Sequence, residues 1–237
     1  MAGSGARFSK AGYKIPKPLI PIKNKPMIEL VVENLRPTID HRFIFICQVQ
    51  HLRSYPLREL LEKKAFGCEI IEVKEVTEGA ACTVLLAKEL IDNQDQLMIA
   101  NCDQFIDIDI NNYLAILNNT DADGLIMTMK AYDDKWSFIK LNSNNEITKV
   151  VEKTVVSDEA TVGIYNFLRG SDFVAACEVM IAKNFRVNNE FYIAPVYNEM
   201  IQAGKNIKYF NIGNLGESMH GLGTPEDLNL FMHTHHA

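Results

Sequence analysis

The residues best suited to chemistry lie at the start of the chain, in MAGSGARFSKAGYKIPKPLIPIKNKPMIE. Gly3 and Gly5 let the backbone take left-handed φ and approach a ligand with no Cβ in the way, so peptide N–H groups can converge on an anion. Arg7 follows two residues later, and Lys17 stands between Pro16 and Pro18, whose rings stiffen the chain and limit where the ammonium points. Gly-Ser-Gly alone reads as a turn, and a lysine in a proline-rich loop as a solvated cation. Two cations beside one glycine loop in an acidic chain point instead to triphosphate binding. The spacing matches neither the loop that ends in Gly-Lys-Ser/Thr nor G-x-G-x-x-G.

Asp103 is the next candidate. It closes the apolar stretch that begins at Leu97, at the carboxyl end of an expected buried strand, where open α/β sheets gather ligands. A lone aspartate in such a place more often serves a turn or a helix cap. Beside a triphosphate it suits Mg²⁺, which takes one or two carboxylates and completes its shell with phosphate oxygens and water. Asp107 is a weaker ligand and an alternative cap for a helix from Asn111.

The elements that must position these residues follow from periodicity. Met27, Ile28, Val31 and Leu35 recur at helical spacing, and residues 42–49 form an apolar run of strand length. Residues 55–66 read as helix, 68–76 as strand, 78–91 as helix and 96–103 as strand, a βα alternation that implies a mainly parallel sheet covered on both faces. From about Asp123 shorter β-rich pieces take over, with a turn at Asn142 to Asn145 that implies an antiparallel hairpin. Residues 162–168 read as strand, 171–184 and 189–204 as helices, and 207–213 as a late strand. Thr224 is placed as N-cap of a closing helix, with Pro225 at its first position and Asp227 in its first turn.

The 237 residues, 47% of them hydrophobic, can bury one sizeable core, and no linker or repeat interrupts them, so a single domain over 1–237 is expected. Within it, about 1–122 would form a nucleotide-binding half and about 123–237 an acceptor-binding half. A net charge of -6 excludes a nucleic-acid footprint, which gathers Lys and Arg on one face. Cys47, Cys68, Cys82, Cys102 and Cys177 are odd in number with no C-x-x-C spacing, which excludes a disulfide framework or zinc knuckle and fits a reducing cytoplasm. No apolar run approaches the roughly 18 residues of a membrane span, and no export signal opens the chain. The terminal HTHHA could chelate a metal but reads as a solvated tail or cloning remnant.

The pair G-x-G-x-R and P-K-P-L, as it stands in MAGSGARF and IPKPLIPI, resembles the nucleotidyltransferase superfamily that joins a nucleoside triphosphate to a sugar 1-phosphate or similar small phosphate. The likeness continues through EGAACTVLLAKELI, IANCDQF, VVEK, ATVGIYNF and LGTPEDLNLF, nearly the whole chain. It implies a Rossmann-like three-layer α/β/α fold with a mainly parallel mixed sheet, of the kind shared with GT-A glycosyltransferases. In such folds an apolar strand runs directly into the glycine loop; here the chain opens at Met1 inside the loop, so that first strand is expected to be missing and its neighbours exposed.

The resemblance also implies roles. Backbone at Ala2, Gly3 and Gly5 would face the nucleotide with Glu78, Gly79 and Ala80; Arg7 would take the leaving pyrophosphate and Lys17 the α- and β-phosphates; Asp103 would hold Mg²⁺. Lys153 resembles the lysine for the acceptor phosphate, Glu152 the carboxylate for acceptor hydroxyls, and Gly163 a backbone contact to the acceptor. From the residues alone, Glu152 and Lys153 read as an exposed ion pair at a strand end. The partners implied are a nucleoside triphosphate (CTP, GTP or UTP) and a small phosphorylated acceptor, with a homodimer allowed and neither nucleic acid nor membrane.

Two departures shape the reading. Many members place a second metal aspartate two residues before the closing G-T, where this chain has Gly221; Glu217 or His220 are the substitutes considered. EVKEVTEGAA also lacks the glutamine that thymidylyl- and uridylyl-transferring members place on the base, which turns the reading toward a cytidylyl or guanylyl donor in capsule or surface-polysaccharide synthesis. A cytidylyltransferase acting on a non-sugar phosphate such as phosphoglutamine or phosphocholine, a glycosyltransferase of related fold and a non-catalytic homologue are the alternatives.

Overall fold

The computed structural model describes residues 1–3 and 5–235; His236 and Ala237 of the HTHHA tail lie outside the described residues. In chain order the elements are α1 (Ala6–Lys10), a single 3-10 turn (Lys17–Leu19), β1 (Pro21–Ile22), β2 (Lys25–Pro26), α2 (Met27–Asn34), β3 (Ile44–Gln48), α3 (Val49–Ser54), α4 (Leu57–Lys64) and β4 (Glu69–Val73). Then come α5 (Ala80–Leu85), α6 (Lys88–Ile91), β5 (Leu97–Ala100), β6 (Gln104–Ile106), α7 (Ile110–Asn119), β7 (Gly124–Lys130), β8 (Ser137–Leu141), β9 (Ile147–Glu152) and β10 (Glu159–Phe167). The chain closes with α8 (Gly170–Ala182), α9 (Val196–Gln202), β11 (Ile207–Asn214), β12 (Met219–Gly221) and α10 (Pro225–Thr234). No helix among the described residues is long and apolar enough to cross a membrane.

The elements form two compact units. The first draws on three stretches of chain: Met1–Val76, Cys102–Ile110 and Met219 onward. Its core joins Ile28 and Val32 of α2, Phe45 and Cys47 of β3, and Leu57 and Leu61 of α4, with Met1 and Leu19 packed against them. Spacings of four residues within α2 and α4 put these side chains on one helical face, and the alternation in β3 puts Phe45 and Cys47 on one face of the strand. Among the described residues β3 pairs, in parallel, with β4 alone. A second small sheet pairs β6 antiparallel to β12, setting Ile106 opposite Met219 and Gln104 opposite Gly221. At the head of α10 the Thr224 hydroxyl accepts from the Asp227 N–H, the cap the sequence predicts.

The second unit, Thr77–Asn101 with Asn111–Ser218, holds a six-stranded mixed sheet in the order β11-β7-β10-β8-β9, with β5 also on β10. β11 runs parallel to β7, whereas β10 is antiparallel to β5, β7 and β8. All nine residues of β10 are buried, as a strand paired on both edges under helices requires. The expected hairpin is β8–β9, and Asn145 takes the left-handed φ of 60° that its turn needs.

Four expectations change. The segment 189–195 is not helical, because the Phe191 N–H donates to Glu78 O and Phe191 O accepts from the Ala81 N–H, so its backbone is spent on another segment and α9 begins only after Pro195. The helix over 78–91 divides into α5 and α6. α3 is added; it buries none of its residues and so carries no apolar period to read. β5 is only half-buried and ends on an exposed Ala100, because among the described residues it pairs along one edge alone, with β10.

Candidate active site

In the first unit the glycine loop is tethered by a residue the motif does not contain. Gln48, the last residue of β3, donates through Nε2 to Ala2 O (2.7 Å) and Gly3 O (3.2 Å), so the loop is held by a side chain while Ala2 is buried. Gly5 takes φ 63°, ψ 22°, the left-handed conformation expected of it; Gly3 does not have a positive φ. Gly5 O accepts the N–H groups of Phe8 and Ser9, and buried Phe8 meets Tyr13 edge-on at 5.1 Å. The guanidinium of Arg7 is thereby carried on an exposed turn directly after the loop.

Lys17 opens the 3-10 turn, with Pro16 and Pro18 about it, and a Cβ at Gly5 would lie 3.8 Å from the Lys17 Cβ. Its Nζ is 2.7 Å from Asp103 Oδ2, and the two side chains are 23% and 24% exposed, so the pair is shielded without being sealed. Burial works to lower the Lys17 pKa, but the Asp103 carboxylate outweighs it and the ammonium is held above its ordinary value. Asp103 itself is fixed from the closing motif: its carbonyl accepts the Leu222 N–H at 2.8 Å. A Cβ at Gly223 would lie 2.7 Å from Asp103 Oδ2, so a side chain there would have to displace that carboxylate from its present position.

Neither proposed substitute for the absent second aspartate stands at Gly221. His220 is engaged with Asp107 at 2.8 Å, and Glu217 accepts from Asn214 at 2.7 Å. Asp107 is therefore also committed to a histidine. What the sequence reading missed is Asp227: a Cβ at Gly221 would lie 3.4 Å from both Cγ and Oδ2 of Asp227, so a carboxylate from the first turn of α10 borders the space a side chain at 221 would enter.

The second unit gathers Glu152, Lys153 and Gly163. Glu152 ends β9 and is buried, contrary to an exposed ion pair; the Ser137 hydroxyl donates to it. Burial pushes its carboxyl pKa up, against the Ser137 hydrogen bond and the Lys153 charge, which pull it down. Lys153 adopts φ 53°, uncommon for a residue with a side chain, and its N–H donates to Trp136 O. Its Nζ lies 2.5 Å from the Tyr192 hydroxyl and 4.6 Å from the centre of that ring. Gly163 takes φ 87° where the register of β10 against β7 shifts between Thr161 and Tyr165, and its carbonyl accepts the Asn101 N–H.

Gly79 is tightly constrained in this unit. It has φ 134°, and a Cβ there would lie 2.4 Å from Phe191 O and 2.5 Å from Phe191 N. Thr77 and Thr83 both direct hydroxyls to Gly79 O, and Arg186 bonds Glu78 Oε2 at 2.5 Å while lying 4.0 Å above the Phe191 ring. Ala80, the first residue of α5, is exposed. Glu78 is thus held both through its backbone carbonyl and through its carboxylate, and Gly79 through its backbone carbonyl.

Comparison with known proteins agrees with this fold. The pattern that defines the nucleotidyl transferase family matches residues 1–211. The bifunctional sugar-1-phosphate nucleotidylyltransferase/acetyltransferase of Sulfurisphaera tokodaii is 28% identical over 169 residues, 69% of this chain and 38% of that protein. The catalytic subunit beta of mannose-1-phosphate guanylyltransferase of Danio rerio is 25% identical over 173 residues, 70% of this chain and 48% of that one. The chain therefore spans less than half the length of these relatives. Among solved structures, a nucleoside-diphosphate-sugar pyrophosphorylase from Vibrio cholerae superposes with a TM-score of 0.84 at 28% identity over 99% of this chain and 98% of that one. A UDP-glucose pyrophosphorylase complexed with UDP-glucose, at 19% identity, shares the fold with a TM-score of 0.77 over 98% of this chain and 94% of that one.

Proposed function

Because the chain belongs to the nucleotidyl transferase family, we propose that it moves a nucleoside monophosphate from a nucleoside triphosphate to a sugar 1-phosphate. An oxygen of the acceptor phosphate attacks the α-phosphorus in line, the bond to the bridging oxygen of the β-phosphate breaks, and pyrophosphate leaves with that electron pair. Such transfers need positioning and charge neutralisation more than covalent work by the protein.

The observation that carries this reading is the Lys17–Asp103 pair at 2.7 Å, beside a left-handed Gly5 and the Arg7 turn. On this reading the cation and the carboxylate neutralise each other in the free protein. When triphosphate enters, Lys17 turns to the α- and β-phosphates and Arg7 meets the leaving pyrophosphate; Asp103, no longer paired with Lys17, is the residue that would hold a divalent ion. Asp103 fits Mg²⁺: a hard carboxylate donor against which Gly223 leaves a cradle, with Asp227 near the place of the absent second carboxylate. The ion would supply neutralisation of charge on the departing pyrophosphate.

In the second unit Lys153 takes the acceptor phosphate, steadied by Tyr192, while Glu152 accepts from acceptor hydroxyls and Gly163 lends its bent backbone. The donor is read as CTP, GTP or UTP, and the product as a precursor for surface or capsule polysaccharide. Pyrophosphate release across a matrix of nucleoside triphosphates and phosphorylated acceptors, including phosphoglutamine and phosphocholine, tests this. Acceptor-dependent release with a sugar 1-phosphate supports it; release with a non-sugar phosphate alone replaces the acceptor, and no release with any pair refutes it.

A further inference from the structure

Asp107, His220 and His235 have no part in the transfer chemistry, yet they converge within the first unit. Asp107 follows β6, His220 is the middle residue of β12 paired with Phe105, and His235 follows α10. His220 Nε2 is 2.8 Å and His235 Nε2 is 3.1 Å from the same oxygen, Asp107 Oδ2, and the three donor atoms all lie within 4.8 Å of one another. Two imidazole nitrogens and one carboxylate oxygen are a donor set for a borderline divalent ion rather than for Mg²⁺.

The set is held in place. The Phe231 ring stacks on His235 at 4.3 Å, Phe105 meets His235 edge-on at 5.8 Å, and Lys23 Nζ donates to His235 O at 2.5 Å. His220 is buried, so one ligand is rigid, one aromatic side shields the group, and Asp107 faces solvent from which an ion can enter. Tetrahedral Zn²⁺ with metal–ligand distances of about 2.0–2.2 Å sets its donors roughly 3.3–3.6 Å apart. The observed 2.8 Å and 3.1 Å contacts need to open by roughly 0.2–0.8 Å to admit the ion.

We propose that Asp107, His220 and His235 bind one Zn²⁺, with water in the fourth position, and that this ion clamps the end of α10 to the β6–β12 pair. Asp103 and Leu222 meet at the Gln104–Gly221 end of this same pair, so the clamp braces the segment that carries the candidate catalytic carboxylate. The proposal is independent of the transferase reading.

The test titrates the full chain with Zn²⁺ against a chromophoric chelator and, separately, with Co²⁺, whose visible absorption reports coordination geometry. The expected result is one Zn²⁺ per chain and a tetrahedral Co²⁺ spectrum. H235A and D107N, chosen because neither empties the core, should each weaken Zn²⁺ binding by more than the roughly 10–100-fold that loss of an outer-shell partner costs. Zn²⁺ should raise the melting temperature of the wild type and not of H235A. H233A and D103N should bind as the wild type does. Failure of the wild type to bind one Zn²⁺, or unchanged binding in H235A and D107N, overturns the site; loss in H233A with retention in H235A assigns chelation to the tail and overturns it equally.

Discussion

Removing the Lys17 cation with Lys17→Ala separates structure from chemistry. At 2.7 Å and an effective dielectric of about 20, the Lys17–Asp103 attraction is about 6 kcal/mol gross. Desolvation of two ions returns most of that, and a charge-assisted hydrogen bond nets about 1.5–3 kcal/mol. With both side chains about one quarter exposed, the lower end, about 1.5 kcal/mol, is expected. A cycle of K17A, D103N and the double variant in urea unfolding should return a coupling near that value. Because the folded pKa of Lys17 lies above its ordinary value, this stability is fully present below about pH 10.4 and is lost as pH rises through the folded pKa. The gap between wild type and K17A should be flat from neutrality to about pH 9 and shrink above 10.4. Turnover should fall much further than stability. Loss of one preorganised charge on a transferring phosphoryl group costs about 10²–10³ in kcat, roughly 2.7–4 kcal/mol. Steady-state pyrophosphate release measures it. A K17A enzyme within about threefold of wild-type kcat/KM, or a coupling within about 0.3 kcal/mol of zero, refutes the reasoning.

Other outcomes follow from the second unit. Glu152→Gln removes a buried charge whose pKa burial raises; the carboxyl is best tolerated at acid pH and least once ionised, so at pH 7 the variant should melt no lower than the wild type while the acceptor KM rises at least about tenfold, as thermal scans and acceptor titration would register. Gly79→Ala drives a methyl to 2.4 Å from Phe191 O at a φ of 134°, and strain plus overpacking should cost about 2–6 kcal/mol in urea unfolding; a cost below about 0.5 kcal/mol contradicts the contact. Tyr192→Phe keeps the ring beside Lys153 and loses only the hydroxyl bond, so acceptor KM should rise roughly 2- to 13-fold, less than in Lys153→Ala; equal effects would make the ring irrelevant.

What was legible in the sequence was local. Gly5, Arg7 and Lys17 fall within a dozen residues, so their chemistry shows as a motif, and family membership follows from it. Thr224 as a cap and Asn145 in a turn are likewise decided by near neighbours. The rest depends on pairs far apart in the chain. Gln48 tethers Ala2 across 46 positions, Lys153 meets Tyr192 across 39, and Arg186 reaches Glu78 across 108, none with a periodic signature. The helix expected over 189–195 failed because a backbone partner more than a hundred residues away took its hydrogen bonds. Asp227 escaped notice because it is a good first-turn residue for α10, which explains it locally and hides its place beside Gly221.

The first unit is discontinuous, and this sets an order in which the protein can be made. Its opening 76 residues supply a glycine loop and a small apolar core early in synthesis, but the strand that pairs with β6 and the helix that follows it come from the chain's final stretch. Until Leu222 has emerged, Asp103 lacks the N–H that fixes its carbonyl, while the whole mixed sheet of the second unit has already been synthesised. Contacts of such sequence separation form late, since closure of the long intervening chain must precede any gain from them. The candidate catalytic carboxylate is thus armed last, and a nascent or C-terminally clipped chain holds the loop that would bind triphosphate without the brace that would position Asp103 to use it.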